Sequence, residues 1–270
     1  MKRIVRNSVL AAIALVVVYW FVWLYETGFR DPRFFDGWVL VACIVVLTLF
    51  NVRKKLAMLP LGKAAAWMQA HIYAGWIAVG TFALHTELSL PDAPLEWALW
   101  VVFLIVALSG VIGVYLTRSL PPKLEAHEER VLFERIPQFR SQLAREVGDL
   151  AIGSVNEAGS MTISDLYINT LHEFFARPQN LLLHLRGSRR PLIRICSEID
   201  KLERYLDATG KEILARIKNC VITKDALDFQ YANQGALKFW LFIHIPATYG
   251  LITLAIAHIA VMYAYSSGVP

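Results

Sequence analysis

The sequence predicts an all-α integral membrane helical bundle with five transmembrane helices and a helical cytoplasmic insertion. Three observations predict it. Of 270 residues, 56% are hydrophobic and 18% charged, whereas about a quarter of an ordinary soluble domain is charged. The mean hydropathy is +0.46. The charges are also bunched, so that long runs free of Asp, Glu, Lys and Arg alternate with densely charged ones. That alternation suits a chain that meets hydrocarbon in some stretches and water in others.

The uncharged runs are residues 7–25, 37–52, 64–86, 97–117 and 239–270. A helix needs about 20 apolar residues to cross the hydrocarbon core, and four of the five reach that length. The second is short and is expected to draw in Phe34 and Phe35. The first follows Lys2, Arg3 and Arg6 and has no small-x-small cleavage signal before Glu26, so it reads as an uncleaved first helix. Basic residues collect on one side. Lys2, Arg3 and Arg6 open the chain, and Arg53, Lys54, Lys55 and Lys63 fill the second connection without an acid. The other two connections carry Glu26, Arg30, Asp31, Arg33 and Asp36, then Glu87, Asp92 and Glu96. The basic side is expected to be cytoplasmic, with the amino terminus and residues 118–238 inside, the carboxyl terminus outside, and a bacterial inner membrane as the location. The domains expected are 1–117 (helices one to four), 118–238 (the insertion) and 239–270 (the fifth helix).

The insertion is too polar for membrane. Residues 123–147 read as an amphipathic helix opening after Pro121 and Pro122. Leu192, Ile195, Ile199, Leu202 and Leu206 form one apolar stripe of a second helix, with Gly210 a candidate interruption. The small residues of 148–159 read as a turn or loop. The net charge of +5 does not point to nucleic acid, because the basic residues outside the insertion flank apolar runs and no basic–aromatic patch occurs. Cys43, Cys196 and Cys220 are widely spaced, without C-x-x-C or C-x-x-C-H, which excludes c-type haem attachment, zinc ribbons and iron–sulfur ligation.

The chemistry is expected to lie in the histidines. There are seven, and four fall in apolar runs: His71 and His85 in the third, His244 and His258 in the fifth. The spacings 85 − 71 and 258 − 244 are both 14. Fourteen residues fall about 40° short of four full helical turns and rise about 21 Å, so each pair lines one face with one imidazole toward each edge of the membrane. The third and fifth helices run in the same direction. His71 is therefore expected level with His244 on the cytoplasmic side, and His85 with His258 on the outer side, as axial ligands of iron in two haem b groups. A lone membrane histidine is more often a hydrogen bonder or proton relay, but two pairs of equal spacing on co-directional helices favour haem.

These four histidines and their helix order resemble the di-haem bundle of the ferric reductase and NADPH oxidase membrane domains, and are similar to cytochrome b of the respiratory quinol–cytochrome c oxidoreductases. The resemblance covers residues 34–117 and 239–265. It implies axial ligation by His71, His85, His244 and His258. No nicotinamide or flavin domain like that of the oxidases is expected after the last helix, and residues 118–238 hold no G-x-G-x-x-G or P-loop, so electrons are not expected to come from NADPH directly. The P-E-W-Y quinol motif has only a misordered echo at Pro94, Leu95, Glu96 and Trp97.

The expected function is transmembrane electron transfer between a quinol or cytoplasmic donor and a redox partner protein on the outer face, as an electron-transfer subunit rather than a stand-alone enzyme. Quinone is a further candidate partner through Glu96, membrane lipid is expected around the helices, and nucleic acid is not. The rivals are a quinone- or ferric-reducing oxidoreductase subunit and a haem-free membrane scaffold. Gly75, Gly80, Gly110, Gly113 and Gly250 could admit a macrocycle or serve helix packing. Lys63 and Lys238 could reach haem propionates or anchor helix ends. Pro246 is expected in the first turn of the fifth helix, and His127, His172 and His184 as surface or core residues.

Overall fold

The computed structural model describes residues 2–28, 32–55, 62–125, 131–157 and 161–266, and these contain helices and connections but no strand. In chain order the α-helices are α1 (Lys2–Thr27), α2 (Pro32–Lys55), α3 (Ala64–His85), α4 (Pro94–Glu125), α5 (Ile136–Glu157), α6 (Met161–Leu166), α7 (His172–Ala176), α8 (Leu181–Leu185), α9 (Arg190–Leu202) and α10 (Ala208–Ser266). A π-helical segment, Tyr167–Leu171, joins α6 to α7. The chain divides into two compact units, Met1–Tyr115 with Trp240–Pro270, and Leu116–Phe239, and both boundaries fall inside helices, α4 and α10.

The first unit is a helical bundle with an apolar exterior. Val16, Trp20, Leu108 and Phe242 are all more than half exposed, a surface that water does not tolerate over whole helices and lipid does. Four described segments are long and apolar enough to cross a membrane: Val5–Thr27, Pro32–Asn51, Pro94–Leu120 and Ala208–Tyr265. The protein is an integral membrane protein. The third helix, α3, has 22 residues but is not among the four, because Gln69, His71 and His85 dilute its apolar side chains. It packs instead against both α1 and α2. Gly80 lies against Leu15 of α1, where an added Cβ would sit 2.5 Å from Leu15 Cδ2, so this glycine serves close packing. Phe82 of α3 stacks on Phe103 of α4 with centroids 3.9 Å apart, and Trp38 of α2 donates to the Tyr263 hydroxyl of α10 at 3.3 Å. Phe34 and Phe35 fall inside α2.

The second unit closes over one core. Val147, Ile163, Leu171, Phe174, Ile199, Ile217 and Val221 are buried together, with Leu192, Ile195 and Leu202 packed against them, so the α9 stripe faces inward. Three local expectations need correction. Residues 148–157 continue α5 as helix, because small residues permit a helix as readily as a turn, and Gly148 lies against Tyr167, whose hydroxyl an added Cβ would approach to 3.3 Å. Pro121 and Pro122 do not open a helix but lie in the last turns of α4. Their fixed φ is helical, and the loss there is confined to two backbone donors. Gly210 does not break the stripe. It sits in the first turn of α10, where its N–H donates to the Asp207 carboxylate at 2.7 Å, an amino-terminal cap.

Pro246 is likewise not in a first turn. Because α10 starts at Ala208, Pro246 lies deep inside the helix and withdraws the N–H that the Phe242 carbonyl would otherwise accept from.

A buried ionic cluster was not expected. Lys224 and Asp228, one turn apart on α10, are 0% and 1% exposed at their side chains and pair at 2.5 Å. Lys224 Nζ also donates to the Arg177 carbonyl at 3.1 Å and lies 3.9 Å from the Phe174 ring centroid. Asp228 Oδ2 accepts from the Gln179 N–H at 2.9 Å. His184, expected at the surface or in the core, is buried with its Nε2 3.6 Å from Asp225 Oδ1, outside hydrogen-bond length. His172 packs edge-on against Tyr167, and His127 lies outside the described residues.

Candidate functional site

Within the first unit, α3 and α10 bring their histidines to the bundle interior. The rings of His71 and His244 face each other with centroids 6.5 Å apart and planes at 70°. Two imidazoles sharing one metal through bonds of about 2 Å have ring centroids separated by about 6 Å. The observed spacing is of that size.

The ring nitrogens are differentiated by what they touch. His71 Nδ1 lies 3.2 Å from the Leu47 carbonyl oxygen, which can only accept, so Nδ1 carries the proton and Nε2 keeps its lone pair. His244 Nδ1 lies 2.7 Å from Ser109 Oγ. The Ser109 hydroxyl donates to the Val106 carbonyl at 2.9 Å, so its oxygen accepts from His244 and the tautomer is the same. His85 Nδ1 lies 2.7 Å from Asp36 Oδ1, and Asp36 is only 2% exposed. Metal-ligating histidines characteristically donate the second ring N–H to a carbonyl, hydroxyl or carboxylate in this way.

His85 and His258 line one cavity of about 410 Å³, together with Gly37, Trp38, Phe82, Phe103 and Glu96. Its volume falls in the range of small-molecule and cofactor sites. Gly75 and Gly250 are part-buried, yet a Cβ added to either would meet nothing within 4 Å, so there is open space beside each of them. Among the described residues no group of three or more His, Cys, Asp and Glu converges to hold a metal ion. What the first unit brings together is a pair of imidazoles, His71 and His244, residues of the type that would hold a haem iron.

No family model, curated protein or solved structure matches the chain.

Sequence inspection missed the partners of the histidines. Asp36 counted there only as one acid of an outer connection, although its place directly before an uncharged run was a usable signal. Ser109 and the Leu47 carbonyl carried no signal. Trp240 was also overlooked. It stacks on His244 at 5.4 Å and 25°, and its Nε1 donates to the Ser109 carbonyl at 2.7 Å. Gly113 makes room for it, since an added Cβ would lie 2.1 Å from Trp240 Cζ2. Gly113 therefore seats a tryptophan. The expected result of Gly113→Ala is a loss of about 1–3 kcal/mol through overpacking, measured as earlier unfolding of the detergent-solubilised protein. The loss should shrink in a Trp240→Ala background, where the clash is gone.

The two lysines considered for propionates differ. Lys63 is the exposed residue preceding α3. Lys238 is engaged within the second unit, hydrogen-bonded to the Glu134 carboxylate and 4.2 Å from the Phe133 ring centroid. That bond holds the Glu134 carboxyl below the usual range.

Proposed function

We propose that this chain is a membrane cytochrome b that relays electrons across the bilayer. His71 with His244, and His85 with His258, would hold two haem b groups. The observation that carries the reading is the pair His71 and His244, with ring centroids 6.5 Å apart and each Nδ1 held by an oxygen of the bundle, the Leu47 carbonyl and the Ser109 hydroxyl. A bis-histidine haem supplies one-electron exchange and offers no open position to a substrate.

The residues of the chain do the rest. Leu47, Ser109 and Asp36 orient the imidazoles, and the apolar walls of the bundle exclude water around them. On this reading α3 is a fifth span, its polar histidines turned to the interior and its flank covered by α1 and α2. The amino terminus and residues 118–238 are cytoplasmic, since Lys2, Arg3, Arg6 and Arg53 to Lys55 share that side. In a bacterial inner membrane, negative inside, outward movement of an electron gains about 2.3 kcal/mol per 100 mV. A quinol or a cytoplasmic redox protein would load the chain and a periplasmic redox protein would unload it.

The test is a reduced-minus-oxidised spectrum of the full chain purified after haem-replete expression, which should carry two low-spin haems per chain. A colourless protein would leave a membrane scaffold as the better reading. A second reading, a quinone-reacting subunit, is favoured by Glu96, which lines the same cavity as His85 and His258. Prompt haem reduction by a soluble quinol, lost in Glu96→Gln, would select it.

A further inference from the structure

The two histidine pairs are built with unlike outer partners. His71 donates to a neutral backbone carbonyl and His244 to a neutral hydroxyl that itself donates onward. His85 donates to a carboxylate, Asp36 Oδ1, at 2.7 Å. That carboxylate is 2% exposed, so water screens its charge little. The neighbouring residue on α2 is shaped for the contact. Gly37 faces the same imidazole, and an added Cβ would lie 3.3 Å from His85 Cε1, so any larger residue would crowd the ring against which Asp36 sits.

We propose that Asp36 is a positioning and tuning residue that makes the site of His85 and His258 the harder of the two to reduce. The proposal rests on the di-haem reading above. A carboxylate accepting from Nδ1–H draws the proton toward itself, gives the imidazole imidazolate character and strengthens its donation through Nε2. Stronger donation stabilises ferric over ferrous iron. The buried negative charge acts in the same direction, because the ferric centre carries one more positive charge. A carbonyl and a hydroxyl do neither to the same degree, so the site of His71 and His244 keeps the higher potential. The chain thus carries a built-in difference in electron affinity between its two sites, set by α2 rather than by the histidine helices.

The test is an equilibrium redox titration of the full, haem-loaded chain, following absorbance, with wild type, Asp36→Asn and Asp36→Glu compared. Wild type is expected to titrate in two resolved one-electron steps. Asp36→Asn keeps the shape and an accepting oxygen but loses the charge. It should raise the lower midpoint by a ten- to hundredfold change in the ferric-to-ferrous ratio, about 60–120 mV at about 59 mV per tenfold, and leave the upper midpoint in place. Asp36→Glu, which keeps the charge, should stay near wild type. A residue that merely held the fold would not move one midpoint selectively. Both midpoints unmoved in Asp36→Asn with two haems bound, or haem lost equally in Asn and Glu variants, overturns the proposal while the haem reading stands. Wild type without haem overturns the underlying reading instead.

Discussion

Replacing both His71 and His244 by alanine is expected to halve the low-spin haem absorbance and leave the remaining half with unaltered band positions. The two side chains are each other's closest candidate for sharing an iron, with ring centroids 6.5 Å apart. An imidazole bond to haem iron has no substitute nearby among the described residues, where no larger group of His, Cys, Asp and Glu converges. Each single substitution should have nearly the full effect of the double one, because groups that act as a unit do not contribute additively. The complementary replacement of His85 and His258 should remove the other half. The haem-to-protein ratio, measured by pyridine haemochrome on purified protein, checks both. Full haem content in the His71→Ala/His244→Ala protein would sink the pairing.

The second large effect is expected far from the histidines. Lys224→Ala should destabilise the second unit by about 3–5 kcal/mol, the cost of stranding a buried charge. Asp228 is almost wholly buried and holds Lys224 Nζ and the Gln179 N–H on one oxygen, while Asp228 Oδ1 has no hydrogen-bond partner. Removing the ammonium leaves that carboxylate uncompensated. The double change Lys224→Met with Asp228→Leu should recover most of the loss, because an apolar pair of similar volume carries no desolvation cost. Amide hydrogen exchange over α5, α7 and α9 in the solubilised chain measures this locally, without requiring the bundle to unfold. Protection unchanged in Lys224→Ala would show that the cluster relaxes around the loss.

Much of the architecture was open to reading along the chain. Helical character and membrane residence depend on length and composition of single segments, and a run such as 97–117 declares both. The apolar stripe from Leu192 to Leu202 was visible because a period of three to four residues is a local property, and its members do face the core, whereas Leu206, read as part of the same helix, reaches that core from extended backbone after α9 has ended. Helix ends were read less well. Prolines 121 and 122, Gly210 and the small residues of 148–157 are each compatible with two local conformations, and packing at a distance selects between them. Pro246 is the sharpest case, since its place in a helix depended on where that helix began, 38 residues earlier (246 − 208).

By itself the sequence determined an all-helical membrane chain and four histidines on two equal spacings, because hydropathy and helical period are properties of neighbouring residues. Only the tertiary structure decided what lies behind each imidazole. Asp36 meets His85 across 49 residues, and Ser109 meets His244 across 135. Such contacts are made by packed helices, whose relative rotation no local pattern encodes. The same holds for Trp240 on Gly113 and for the charge of Lys224, which looks solvated in a charged stretch and is sealed from water only by the packing that brings Phe174 and the Arg177 carbonyl against it.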